Sequence, residues 1–156
     1  MSTFPIVENV AIVPVLDTNI YASGDILFIE NIITAAARAN AGTVTLVSVS
    51  GYDLALTTGL PFELWFFNSE PTEVAYAVND PFGMGDADAL LFVGYVSILA
   101  TDYAGAANNC VFTKRNIGLQ MEALTGDDLY VIGVTRGTPT YAAADDIGLT
   151  FNFILE

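Results

Sequence analysis

Residues 147–156 read Ile147-Gly148-Leu149-Thr150-Phe151-Asn152-Phe153-Ile154-Leu155-Glu156. Apolar side chains fall at 147, 149, 151, 153 and 155, while Gly148, Thr150, Asn152 and Glu156 fall between them. Successive side chains of a strand point to opposite faces, so this period of two predicts a strand with one buried face. A second clean alternation places Ile117, Leu119, Met121 and Ala123 on one face and Asn116, Gly118, Gln120 and Glu122 on the other. Both segments are expected to belong to the core.

Working outward, other stretches leave almost no polar side. They are Leu90 to Leu99 (LLFVGYVSIL), Ile26 to Ile29 (ILFI) and Leu129 to Val134 (LYVIGV). One face of each can meet an opposing sheet, and the second face needs its own cover. Packing against another subunit is the simplest source of that cover, with long loops as the alternative. In Val44-Thr45-Leu46-Val47-Ser48-Val49 the apolar phase shifts after Leu46, which fits a β-bulge or a strand between two apolar environments. Thr34 to Asn40 reads as the end of a strand running into a loop. Turn signals recur at short intervals, among them Ser23-Gly24-Asp25, Ser50-Gly51, Asn79-Asp80-Pro81, Thr125-Gly126-Asp127 and Arg136-Gly137. About eight short strands punctuated in this way predict an all-β protein, a β-sandwich or barrel. No linker, repeat or charge block divides the chain, so 1–156 is read as a single domain.

Composition removes several kinds of chemistry. The 156 residues include 18 acidic side chains, 4 basic ones and no histidine, for a net charge of -14. Without histidine there is no Ser-His-Asp relay, no imidazole ligand and no imidazole pH switch. Four cations against 18 anions cannot neutralise a phosphate backbone, so no nucleic-acid partner is expected. Cys110 is the one cysteine and reads as a small buried residue, with neither disulfide nor thiolate zinc site. The longest apolar stretch, Ala89 to Ala100, is too short to span a bilayer as a helix, and the first residues lack the basic start of a secretory signal. No membrane partner is expected. Charge is also sparse for a surface of roughly 7,600 Å², which points to coverage by other subunits.

The densest polar cluster, Asn79 to Asp88, offers oxygen ligands on a Gly-rich loop, but its spacing does not match a calcium loop of the EF-hand type. It reads better as a solvated turn, and neither metal nor cofactor is expected. Asp127-Asp128 and Asp145-Asp146 each precede an apolar strand and are expected to cap turns. Paired carboxylates could serve glycoside hydrolysis, yet no pair carries a local signature. Trp65 could build a sugar-stacking platform with its aromatic neighbours. Core packing is the better account, because Phe62, Leu64 and Phe66 oppose Trp65 and Phe67 on two apolar faces. The informative rarities are Arg38, Lys114, Arg115 and Arg136. In so acidic a chain each is expected to pair with a carboxylate, internally or across an interface.

The order of several segments resembles that of the small capsid decoration, or cement, proteins of tailed bacteriophages. These are Tyr21-Ala22-Ser23-Gly24-Asp25-Ile26, then Leu64-Trp65-Phe66-Phe67 before Pro71, Asp86-Ala87-Asp88 before a Gly-Tyr-Val strand, and Ala100-Thr101-Asp102-Tyr103. The C-terminal part is the most specific, with Thr113 to Leu119, Arg136 to Tyr141 and Asp145 to Thr150. Cys110, the acid excess and the Asp80 to Asp88 loop have no match in that pattern. The resemblance implies a jelly-roll-like sandwich and a homotrimer seated on the outer face of a phage capsid, bridging major capsid subunits. It implies a virion component made in the host bacterial cytoplasm, and not an enzyme. Arg38, Lys114, Arg115 and Arg136 are then the candidate interface cations. The alternative reading is a carbohydrate- or receptor-binding jelly-roll module of a virion.

Overall fold

A computed structural model describes residues 6–33, 42–55, 58–124, 126 and 128–155. Ten strands form: β1 (Ile6–Ile12), β2 (Ile26–Ile33), β3 (Thr43–Asp53), β4 (Phe62–Phe67), β5 (Phe92–Ile98), β6 (Tyr103–Gly105), β7 (Cys110–Lys114), β8 (Leu119–Glu122), β9 (Asp128–Thr135) and β10 (Ile147–Leu155). One helical turn, α1 (Asp86–Ala89), precedes β5. The strands make two antiparallel sheets. One runs β1-β10-β3-β7-β6, with β8 also paired to β3, and the other runs β2-β9-β4-β5.

The pairing follows the path of a jelly roll. β1 pairs with β10, β2 with β9, β3 with β7 and β4 with β5, like the successive rungs of one long antiparallel ribbon. Wrapping that ribbon brings β10 beside β3 and β9 beside β4, which closes the two sheets. Eight strands belong to this path. The short β6 and β8 extend one sheet and raise the count from about eight to ten.

Both alternating segments are in the core. β10 lies between β1 and β3 and buries Ile147, Leu149, Phe151 and Phe153. Met121 and Ala123 are buried, and Ile117 and Leu119 pack against the same core. The phase shift after Leu46 is a bulge. Ser48 pairs with Asn152 and Leu46 with Phe153, leaving Val47 as the extra residue. A similar irregularity at Leu27 lets Leu27 and Phe28 both turn inward while Ile26 points to the opposite face. Gly133 sits under the Phe28 ring, where a Cβ would strike the ring carbons. The TAAARAN segment and Asp127 lie outside the described residues.

The second apolar face of the four-stranded sheet is covered from within the chain. Ile26, Phe67, Ile132 and Val134 form a separate buried cluster, packed with Trp65, Tyr76, Phe82, Met84, Leu91, Phe92 and Tyr130. Tyr76, Phe82, Met84 and Leu91 come from the connection between β4 and β5, so that long loop supplies the cover expected from another subunit. The two-sided strands alone therefore do not require oligomerisation.

Phe151 is fully buried, with its ring 6.0 Å from that of Phe66 and 6.3 Å from that of Phe153. Phe151→Ala should lower unfolding free energy by about 3–5 kcal/mol, a large part of the ~5–15 kcal/mol of an ordinary domain. A urea titration followed by circular dichroism checks this; a change below ~1 kcal/mol would mean that the site collapses around the lost ring.

Candidate functional site

The loop over the outer face is held by a carboxylate clasp. Asp88, at the end of α1, is only 2% exposed. Its Oδ1 accepts the backbone N–H groups of Thr72 at 2.9 Å and Glu73 at 3.0 Å. Its Oδ2 accepts that of Val74 at 3.3 Å and the hydroxyl of Tyr76 at 2.7 Å. Glu73 reaches back, its Oε2 accepting from the N–H groups of Ala87 and Asp88 at the start of α1. A Cβ on Gly85 would meet that carboxylate, and the Glu73 side chain would have to shift to make room for it. Burial pushes the Asp88 carboxyl up, but the hydrogen bonds from Tyr76 and the three amides outweigh it and hold it below the usual value. The solvated turn expected for Asp80 to Asp88 is thus partly corrected: its last aspartate is a buried anchor. Among the described residues no group of three or more Asp, Glu, Cys or His is placed to hold a metal ion.

Other aspartates act in the same way at smaller scale. Asp146 accepts from the N–H groups of Ala142 and Ala143, both at 2.8 Å, which is the turn cap expected of it. Asp25 accepts from Ala22 and Asp53 from Ala55. The Cys110 thiol is buried, and burial together with the nearby Asp53 charge raises its pKa, so its thiolate is disfavoured.

Of the sequence-derived cations, the described Lys114 and Arg136 pair with different carboxylates. Lys114, at the end of β7, pairs with Asp102 at 3.2 Å. Arg136, just after β9, pairs with Glu63 at 2.7 Å, and the same Glu63 oxygen accepts from the Trp65 indole N–H at 3.0 Å. Burial raises the Glu63 carboxyl, but these two donors more than offset it and hold the group below its usual value. Arg115 is exposed in the turn between β7 and β8, with no ion-pair partner among the described residues. Arg38 lies outside the described residues. Trp65 is stacked under Tyr95, with ring centroids 5.2 Å apart and planes 18° apart, so one indole face is already occupied.

A different surface stands out. After β1 burial alternates along residues 13–16, with Pro14 and Leu16 buried and Val13 and Val15 exposed. Val15 and Ile20 are 69% and 68% exposed, and Ile29 on β2 and Val74 on the covering loop are exposed as well. Two clefts join Val15, Ile29 and Val74. One, of about 390 Å³, lies between the outer face of β2 and β9 and the 70–76 segment, lined by Ile29, Glu30, Glu70, Val74, Tyr76 and Tyr130 among others. The other, of about 430 Å³, is lined by Val15, Leu16, Asp17, Ile29, Glu30 and Val78. Glu30 borders both. Burial raises its carboxyl pKa, and no hydrogen bond or ion pair satisfies it among the described residues. Sequence reasoning missed this surface; the signal was available in Val13-Pro14-Val15-Leu16, which is apolar at both parities. A smaller exposed apolar group sits at the opposite edge of the same sheet, with Leu90, Tyr95 and Leu99 around β5.

The fold and these surfaces define an all-β, jelly-roll-like sandwich with exposed aliphatic faces. No protein-family model and no curated protein matches the chain. Solved structures of infectious bursal disease virus of the Gx and Gt strains align with 99% and 97% of this chain, at 14% and 12% identity. The chain spans 42% of the length of each viral chain, with a TM-score of 0.21 in both cases. A likeness at that score carries no argument about fold or partner.

Asp88→Ala leaves three amides and a phenol without their acceptor, and buried groups orphaned in this way cost about 1–3 kcal/mol each when water cannot replace the bond. The expected loss is about 2–4 kcal/mol, or a Tm lower by about 5–15 °C. Because the folded-state pKa lies below the ordinary 3.8, the advantage of wild type over Asp88→Asn should be full above that value and shrink as pH falls below it. Thermal melts between pH 7 and 2.5 check this; a gap that is constant throughout would show that the Asp88 charge contributes nothing.

Proposed function

We propose that this protein is a virion structural protein that binds the outer surface of a phage capsid as a homotrimer and stabilises it by bridging major capsid subunits. The observation that carries this reading is the set of exposed aliphatic side chains lining two adjoining clefts on a jelly-roll scaffold: Val15, Ile29 and Val74. Scattered exposed apolar residues are ordinary, but contiguous ones flanked by clefts are characteristic of protein contact surfaces. The resemblance of the segment order to that of decoration proteins is what points to a capsid as the partner. The role is architectural and not enzymatic, in keeping with Asp25, Asp53, Asp88 and Asp146 being committed to backbone amides.

With a charge of -14 per chain, a trimer approaching an acidic capsid is repelled over a Debye length of about 8–10 Å. Attachment then rests on apolar burial and few ion pairs. Lys114 and Arg136 are already paired within the chain, which leaves Arg115 as the described cation free to pair outside it. The alternative is a carbohydrate- or receptor-binding module, favoured by the exposed Tyr95 ring stacked on Trp65. A sugar-dependent change in the fluorescence of Trp65, the one tryptophan, would report it.

Light scattering after size exclusion should give three times the monomer mass. Phage heads stripped of the protein should be redecorated with equal or slightly better occupancy as salt rises from about 50 to 200 mM, the range over which nucleic-acid binders lose affinity steeply. Arg115→Glu should reduce occupancy without lowering Tm. A stable monomer, or no binding to heads at any salt, would overturn the reading.

A further inference from the structure

The cleft beneath the 70–76 segment has a chemical character of its own. Its walls are largely aliphatic and aromatic, and its charged groups among the described residues are both acidic: Glu30, half-buried, and Glu70, exposed. The neighbouring cleft across Glu30 adds Asp17 and, among the described residues, no cation. Every described cation lies elsewhere, Lys114 and Arg136 in pairs and Arg115 in the turn between β7 and β8. A carboxylate withdrawn from water without a partner is costly to keep ionised, and a cation brought to it removes much of that cost. Aromatic faces beside such a carboxylate add attraction for a guanidinium or ammonium group. A volume of about 390 Å³ admits the long stem of a lysine or arginine, whose methylenes suit the Ile29 and Val74 walls.

We infer that this cleft seats a lysine or arginine side chain of the partner chain, with Glu30 as the principal counter-ion, Glu70 at the mouth, and Tyr76 and Tyr130 flanking the stem. The inference rests on the reading of the protein as a binder of another protein and specifies the chemistry of that contact. The exposed Val15 and Ile29 beside the site then receive the apolar residues on either side of the basic one.

The test uses two tripeptides, acetyl-Val-Arg-Val-amide and its citrulline counterpart, which has the same shape without the charge. Titrated into the full chain, the arginine peptide should shift the NMR signals of the Tyr130 ring and the Val74 and Ile29 methyls. The citrulline peptide should bind about tenfold more weakly or not at all, and Glu30→Gln should weaken the arginine peptide by a similar factor. Glu30→Gln should not lower Tm, which separates a lost contact from a lost fold. Equal shifts from both peptides, or none, overturn the inference. Arginine-peptide binding that appears only in Arg38→Ala also overturns it, because the seat would then be filled by the chain's own arginine. Redecoration of stripped heads separates the two levels. If heads bind wild type but Glu30→Gln binds them equally well, the partner contact is refuted while the capsid reading stands. If heads bind neither, the capsid reading falls, and selective, Glu30-dependent binding of the arginine peptide still supports the cation seat.

Discussion

The four-stranded sheet must hide two apolar faces, and the rest of the structure is arranged around that requirement. The sandwich interior takes one face, through Leu27, Phe28, Leu64, Phe66 and Val131. The connection from β4 to β5 is laid over the other, bringing Tyr76, Phe82 and Met84 onto Phe67, Ile132 and Val134. A loop can do this only if its own backbone groups are satisfied, and Asp88 and Glu73 supply acceptors for five of its amides. The clasp fixes the height of the 70–76 segment above the sheet. The shape of the cleft beside it follows from that height.

This arrangement changes the meaning of the charge. A chain with 18 acids and 4 bases reads at first as one with a uniformly repulsive surface. Several of those acids are not surface charge in the ordinary sense. Asp25, Asp53, Asp88 and Asp146 are all buried, and Asp25, Asp88 and Asp146 accept backbone N–H groups at turns between strands. Carboxylates are strong acceptors for amides that a jelly roll, rich in long crossings between sheets, leaves without strand partners. Glu30 is the exception. It is partly withdrawn from water and answered by no described donor, which makes it an incomplete feature of the chain by itself.

The same geometry separates the scaffold from the contact surface. Core strands β9 and β10 are buried on most positions, whereas the 13–20 segment, the free side of β2 and the covering loop are among the places that carry exposed aliphatics. A rigid sandwich with apolar margins suits a protein whose proposed work is to hold neighbouring subunits together. Such contact needs extended complementary area more than a deep active site.

How much of this was legible in advance follows from the range of each physical signal. The alternation in 147–155 and 117–123, the bulge after Leu46 and the turn-capping role of Asp146 are local, because strand period and turn chemistry depend on residues a few positions apart. The sequence by itself therefore determined an all-β fold, its core strands and the exclusion of histidine chemistry, while the choice of sandwich over barrel lies in the strand pairing. It also determined that LYVIGV and its like are apolar on two sides, but not what covers the second side. That cover comes from residues 76–91, which are close in space to β9 only because the ribbon wraps β9 beside β4. The pairing of Arg136 with Glu63, 73 residues away, has the same origin, as does the isolation of Glu30 between two clefts. Periodicity counts the buried faces of a strand; only the tertiary path decides which distant side chains bury them and which charge is left without a partner.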